Sequence, residues 1–331
     1  MIDKAILRRT GEHLLAQPRL RLLLHKHPDG DAVGSCLGLA RFLAARGKDV
    51  GVFGPFDISP KFDFLPGFAD ILDGREEAGN PEFADTLYVV VDSTGIDRTG
   101  FAEGDFRRLL RIDHHIGGAR YDGHDLHDTA AAAAALIVCD LLRAMDEDAI
   151  DAGVAACLYT GLMTDTGGFR YTNTDAHVFR SAGFLVERGA EPARTAILVH
   201  ERRPAVYLDL LRRALDSLTL HADGRVALLT LRPDGLPAEA LALFGSDDFI
   251  NLPRSLAGVE VVVQMKLVPE GDWKIGFRGK GRVNVQSIAA HFGGGGHFSA
   301  AGCELEGEEA ELRERILDRV LVALAEADAR D

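Results

Sequence analysis

Short, continuous apolar runs alternate with amphipathic stretches through the first half of the chain. Residues 20–25 (LRLLLH), 49–54 (DVGVFG), 86–91 (TLYVVV) and 108–112 (RLLRI) read as four strands. Their apolar positions do not alternate with polar ones, which suits a parallel sheet covered on both faces. The periodicity predicts a helix from about Ser35 to Arg46, two more over about 129–146 and 151–163, and another over about 175–189 that ends at Gly189, a good C-cap residue. The alanines at 130–135 fit helix and close packing.

The segment 190–210 breaks this rhythm, with Pro192, Arg202, Arg203 and Pro204 set between helical patterns. It predicts a first domain over 1–195, a linker region at 196–205 and a second domain over 206–331. The second half carries strands at 225–231, 259–268 and 273–278, the last two flanking PEGD as a hairpin. A helix from about Asn284 to Phe292, the run GGGGH, a short strand at 302–306 and a helix from about 307 to 328 follow. The fold class is therefore α/β: a parallel-sheet N-terminal domain with helices on both faces and a smaller α/β C-terminal domain.

Length agrees, since 331 residues make about two domains at roughly 150 residues each. With 47% hydrophobic and 27% charged residues, the chain is neither disordered nor collagen-like nor a disulfide scaffold. Lys and Arg total 37 against 51 Asp and Glu, a net charge of −14. Such a chain repels long polyanions, so a sequence-reading DNA binder or a membrane-surface protein is disfavoured, while a small anionic substrate stays open. Cys36, Cys139, Cys157 and Cys303 show no CxxC spacing and read as reduced thiols. No signal-peptide core is present, and the apolar run from Ala130 to Cys139 is too short to span a bilayer. These features predict a cytoplasmic protein.

Candidate chemistry sits at the strand ends. The first strand is followed by His25, Asp29 and Asp31, the third by Asp92 and the fourth by Asp113, His114 and His115. A single Asp after a strand is ordinarily a turn or cap residue, and PDGD alone is an ordinary turn. Three such ends together are not expected from capping. Carboxylates crowded at the carboxyl edge of a parallel sheet repel one another unless cations neutralise them. An oxygen and nitrogen donor set without cysteine points to Mn²⁺ or a similar divalent ion. Asp165 follows a helical pattern and opens a Gly-rich turn, where an N-cap is the competing reading. Nearby Arg170 would bind an anion or sit on the surface. In Gly293, Gly294, Gly295 and Gly296 followed by His297, glycines would let backbone N–H groups approach a phosphate, and His297 would donate to it. The competing reading is a flexible helix-to-strand loop.

These motifs together resemble the DHH phosphoesterase superfamily, named for the triplet present here as Asp113-His114-His115. The likeness runs through HKHPDGDAVGS at 25–35, VVVDS at 89–93, IDHH at 112–115, TDTGGFRYTNT at 164–174, and GFRGKGRVNVQSIAAHFGGGGHFSAAG at 276–302, which is similar to the DHH-associated domain. The layout is most similar to the oligoribonuclease and phosphoadenosine-phosphate phosphatase branch, the nanoRNases. The resemblance implies two divalent metal ions, expected to be Mn²⁺. His25, Asp29 and Asp92 would hold one, and Asp31, Asp92, His114 and Asp165 the other, with Asp92 bridging. Asp92, His115 and Asp113 would form the catalytic group, Asp113 as an orienter and His115 facing substrate. Arg278, Gly294, Gly295, Gly296 and His297 would grip the nucleotide in an interdomain cleft, with Arg170 beside the metals.

The activity implied is hydrolysis of very short RNA to mononucleotides and removal of the 3′-phosphate of phosphoadenosine phosphate, by a metal-activated water. The alternatives are a phosphodiesterase for cyclic or linear di-adenosine nucleotides, a single-strand exonuclease, or a nucleotide-binding module without catalysis. Short RNA and phosphoadenosine phosphate are the expected partners; long duplex nucleic acid and membrane are not, and a homodimer stays open. The chain departs from the family pattern at Gly117 and Gly118, where an Asn is common among relatives, at Thr129 with the alanines after it, and at Phe298 after the glycine run.

Overall fold

The structure is a computed structural model that describes residues 2–54, 58–102, 104–236, 248–268 and 271–330. The chain divides into two compact units, Met1–Arg202 and Arg203–Asp331.

The first unit runs α1 (Lys4–Ala16), β1 (Arg19–Leu23), α2 (Gly30–Ala44), β2 (Asp49–Phe53), β3 (Leu87–Val91), β4 (Leu109–Asp113), β5 (Leu126–His127), α3 (Ala134–Asp146), α4 (Ala152–Asp165), α5 (Ala176–Glu187) and α6 (Pro192–His200). Its five strands are all parallel, in the order β2-β1-β3-β4-β5. Leu22 sits between Val52 and Val89, and Val91 lies opposite Ile112, so the strands end level with one another. Chain order reverses between β1 and β3, and the carboxyl edge at such a reversal is where open α/β sheets form their crevice.

Both faces of this sheet are covered, as the apolar runs predict, but the cover differs. Leu20, Leu22, Val89, Val91, Leu110 and Ile112 pack against helices α1 to α5. The face carrying Leu23, Tyr88 and Val90 is closed by Ile96, Phe101, Phe106 and Tyr121 from turns and loops. The buried Arg21 and Arg111 also belong to the sheet strands. Aspartates start four of the helices: Asp3, Asp29, Asp151 and Asp175 each accept a backbone N–H from the first turn.

Two helix starts differ from the sequence expectation. α2 begins at Gly30, not Ser35, because Asp29 caps it and PDGD is its entry. α3 begins at Ala134, not near 129. The alanines at 130–133 stay outside the helix, since the carbonyls of Ala131 and Ala132 accept from His114 and Asn173. Residues 196–200, assigned to the linker by composition, complete α6.

The second unit runs α7 (Val206–Asp216), β6 (Thr219–His221), β7 (Val226–Leu231), α8 (Asn251–Arg254), β8 (Val261–Leu267), β9 (Trp273–Gly279), α9 (Val285–His291), β10 (Gly295–His297), β11 (Ala300–Leu305) and α10 (Glu309–Asp328). Its mixed sheet has the order β10-β11-β9-β8-β7-β6; among the described residues β7 and β8 pair in parallel and the other neighbours antiparallel. β8 and β9 form the antiparallel pair expected of the hairpin; residues 269 and 270 of its turn lie outside the described residues. One face packs on α9 and α10 through Phe277, Ile288, Ile316 and Val320, and the other on α7 through Leu210 and Ala214.

Candidate metal centre

Five elements of the first unit deliver the acidic and imidazole groups. His25 lies two residues beyond β1. Asp29 caps α2, with Oδ1 accepting from the N–H groups of Asp31 and Ala32 at 2.9 and 3.1 Å. Asp31 occupies the first turn of α2. Asp92 follows β3 directly, and Asp113, His114 and His115 end and follow β4. Asp165 is the last residue of α4, so it is not an N-cap. The entry to α2 meets the end of α4 at Gly30, where a Cβ would lie 2.5 Å from Thr164 Oγ1. Only glycine permits that approach, and it sets residues 29–31 beside residues 164–165.

Asp92 is common to three groups whose donor atoms lie within 4.8 Å of one another: His25, Asp29 and Asp92; Asp31, Asp92 and His114; and Asp92, Asp113 and His115. His114 Nε2 stands 3.3 Å from Asp92 Oδ1, 3.7 Å from Asp165 Oδ2 and 3.8 Å from Asp31 Oδ2. His25 Nε2 is 4.0 Å from Asp92 Oδ2. Asp92 itself has φ of 54°, in the left-handed region that aspartate tolerates better than most residues. Strained backbone of this kind persists where the surrounding structure dictates it.

These residues fit a pair of divalent cations. Asp92 Oδ1 is buried and accepts no well-formed hydrogen bond among the described residues. His114 Nδ1 lies 3.1 Å from the Ala131 carbonyl, which can only accept, so Nδ1 carries the proton and Nε2 faces three carboxylates. An imidazole lone pair aimed at three anions needs positive charge between them. Without a cation the cluster takes up protons instead. Burial and the neighbouring Asp31 charge push Asp92 well above the usual carboxylate range, against the His114 hydrogen bond. Burial opposes charge on His114, yet the Asp92 hydrogen bond and the Asp165, Asp92 and Asp31 charges raise it well above an ordinary histidine. A like-charge pair about 4 Å apart costs about 4 kcal/mol at an effective dielectric of 20, so neutralisation by proton or metal is compulsory.

Asp113 behaves differently. Its burial disfavours ionisation, but Oδ1 accepts from His115 Nδ1 at 2.8 Å and from the His115 backbone at 3.2 Å, holding the carboxyl at about 2. It is therefore an anion fixed to orient His115. Arg170, on the turn after Asp165, donates Nε to the Gly167 carbonyl at 2.7 Å.

Comparison with known proteins identifies the family of the chain. The DHH family N-terminal domain matches residues 20–162, and the DHHA1 domain matches residues 246–326. Over 312 residues the chain is 36% identical to the bifunctional oligoribonuclease and PAP phosphatase NrnA of Thermus thermophilus, covering 92% of this chain and 89% of that protein. The chain belongs to the DHH family. It is also 24% identical to the NrnA of Bacillus subtilis, covering 86% of this chain and 89% of that one. An exopolyphosphatase-related protein from Bacteroides fragilis superposes with a TM-score of 0.82 at 26% identity, covering 98% of this chain and 97% of that structure.

Within the DHHA1 segment, Arg278 lies on β9, whose buried residues Trp273, Ile275 and Phe277 alternate with it. Half of the glycine run lies in a strand rather than a loop. Gly295–His297 form β10, paired with β11 so that Gly295 faces Gly302 and His297 faces Ala300. A Cβ on Gly294 would lie 2.2 Å from the Gly302 carbonyl, and one on Gly296, with φ of 136°, 2.5 Å from that of Ala300.

Arg111 is a residue the strand-end pattern does not single out. Nearly fully buried on β4, it donates Nη1 to the carbonyls of Thr94 and Gly117, each at 3.1 Å. It thereby ties the loop after Asp92 to the loop after His115. Gly118 accounts for one departure from the family pattern: its φ is 93°, and a Cβ there would lie 2.0 Å from Arg111 Nη1 and 2.3 Å from the Thr94 carbonyl. No helix among the described residues is long and apolar enough to cross a membrane.

Proposed function

We propose that this chain is a Mn²⁺-dependent phosphoesterase that hydrolyses very short oligoribonucleotides and dephosphorylates phosphoadenosine phosphate. The observation that carries this reading is Asp92, one buried carboxylate shared by the His25–Asp29 set and the Asp31–His114 set. The names of the NrnA relatives supply the substrate class.

In this reading His25, Asp29 and Asp92 hold one ion, and Asp31, Asp92, His114 and Asp165 the other. Two bound divalent ions would acidify a water to near neutral pH and offset charge on the phosphate oxygens. The chain's own groups keep the set rigid. The Ala131 carbonyl fixes the His114 tautomer, the Asp29 cap fixes the start of α2, and Asp113 holds His115 so that its Nε2 serves the substrate. Oxygen-rich donors without cysteine favour Mn²⁺ over structural zinc. Arg278, the Gly294–Gly296 segment, His297 and Arg170 are the proposed phosphate and nucleotide contacts.

A turnover panel with Mn²⁺ tests this: phosphoadenosine phosphate, di-adenosine nucleotides, RNA of two to five residues, and long single strands. Release of AMP from phosphoadenosine phosphate and mononucleotides from the short RNA is expected. Turnover of di-adenosine nucleotides alone would move the chain to the cyclic-dinucleotide phosphodiesterases, and turnover of none would remove the catalytic reading.

A further inference from the structure

We propose that His13, Asp122 and His124 form a separate site for one transition-metal ion of the zinc class, fastening α1 to the loop between β4 and β5. One donor atom from each of the three lies within 4.8 Å of the others. His13 stands in the last turn of α1, and its ring stacks on that of His124 with centroids 4.1 Å apart and planes 8° apart. His13 Nε2 is buried and has no hydrogen-bond partner among the described residues. A buried polar atom left unpaired costs free energy, and a bound cation would satisfy it.

The second ring is prepared for the same ion. His124 Nδ1 lies 2.6 Å from Asp122 Oδ1, which also accepts the His124 backbone N–H at 2.9 Å. An ion would displace the proton this pair shares, so that His124 Nδ1 and Asp122 Oδ1 both become donors beside His13 Nε2. The loop is already attached to α1, because Thr10 Oγ1 donates to the His124 carbonyl at 2.9 Å.

The chemistry differs from that of the catalytic cluster. Two imidazoles and one carboxylate make a nitrogen-dominated set, which suits zinc rather than Mg²⁺ or Mn²⁺. Tetrahedral zinc with bonds of about 2.0–2.1 Å brings its nitrogens to roughly 3.3 Å from each other, so the rings must tilt out of their stack by side-chain rotation. The consequence is mechanical. Asp125, on the same loop, accepts the Arg111 backbone N–H at 2.8 Å, so an ion here would brace the loop lying behind β4. Stability should change and turnover should not.

The test is Zn²⁺ uptake by the Mn²⁺-loaded protein, measured by titration calorimetry and by metal analysis after gel filtration, in wild type and in a His13→Gln, His124→Gln double variant. Zinc exchange at the catalytic cluster is common to both proteins and cancels in the difference. Wild type should retain one more zinc per chain and melt several degrees higher with stoichiometric Zn²⁺, while both proteins turn over the same substrate in Mn²⁺ alike. Equal zinc uptake by the two would overturn the proposal. If the double variant fails to fold, Asp122→Asn decides: removing a donor carboxylate should lower zinc affinity at least about 10-fold, and unchanged affinity would refute the site.

Discussion

Asp31 Oδ2 accepts a 2.6 Å hydrogen bond from the backbone N–H of Ala134, 103 residues further along the chain. Asp31 Oδ1 takes the Ala135 N–H at 2.8 Å and the Ser35 hydroxyl at 3.1 Å. α3 starts after Ala133, which has no side chain to cap it, so a proposed metal ligand does the capping. Fold and site therefore meet in one carboxylate. Asp31→Asn keeps the shape but sets an amide NH₂ against a backbone N–H. It should lose about 1–3 kcal/mol of stability as well as Mn²⁺ affinity. Asp165→Asn, at a half-buried helix end, should lose Mn²⁺ affinity and turnover with its melting temperature unchanged. Thermal melts and Mn²⁺ titrations on both variants check this, and matching stability losses would contradict it.

Asp92 makes the opposite prediction for stability. Its carboxylate is buried among other acids, and Oδ1 has no well-formed hydrogen bond. Asn tolerates the left-handed backbone about as well as Asp, so Asp92→Asn removes repulsion without adding strain. The metal-free variant should melt at or above the wild-type temperature. Its turnover should fall by at least about several hundred-fold, because metal activation supplies several kcal/mol of the barrier. A folded variant with near-wild-type rates would end the two-metal reading.

The strand ends were legible because period-free apolar runs locate a parallel sheet and its carboxyl edge is where acids cluster. Asp29 and Asp31 were legible as residues but not as a helix start, since Pro-Asp-Gly-Asp has the composition of a turn. The late start of α3 was illegible because its cap comes from Asp31, far away in sequence. β10 was hidden for the reverse reason: glycine has low strand propensity, yet Gly294 and Gly296 are needed where β10 packs against β11. Arg111 and the His13–His124 stack depend on tertiary proximity that no local pattern carries.

Gly117 and Gly118 offer a graded test of the Arg111 tie. Both have positive φ, but a Cβ on Gly117 meets nothing within 4 Å, whereas one on Gly118 collides with Arg111 and Thr94. Gly117→Ala should cost about 1 kcal/mol, the backbone penalty alone. Gly118→Ala should cost more and also weaken Mn²⁺ binding, because the loops after Asp92 and His115 would shift. Equal Mn²⁺ affinity in the two variants would show that Arg111 does not position the ligands.

Arg278 lies outside the metal cluster, so its loss should act on substrate binding. Arg278→Ala should raise KM for phosphorylated dinucleotides by about tenfold or more, as a charge-assisted contact is worth about 1.5–3 kcal/mol. Hydrolysis of bis-p-nitrophenyl phosphate should stay largely intact. An equal loss on both substrates would make Arg278 a structural residue or a contact of the scissile phosphate.

Substrate length follows from charge. At net −14 the chain attracts a long strand only through local cations. Several cations of the second unit already have acidic partners: Arg282 pairs with Glu260 and Asp328 at 3.0 and 2.8 Å, and Arg225 pairs with the same two acids. In the first unit Arg170 spends one donor on Gly167. Binding energy should therefore saturate after a few phosphates, while each further phosphate meets an acidic surface. kcat/KM should peak for RNA of about two to five residues and fall for longer strands. Log KM should rise only shallowly with log salt, with a slope of about 2 or less, because few counterions are released. Kinetics across RNA lengths at several salt concentrations measure both quantities. A preference for strands beyond about 15 nucleotides with a steep salt slope would require phosphate contacts well beyond Arg278, His297 and Arg170, and would favour a processive exonuclease.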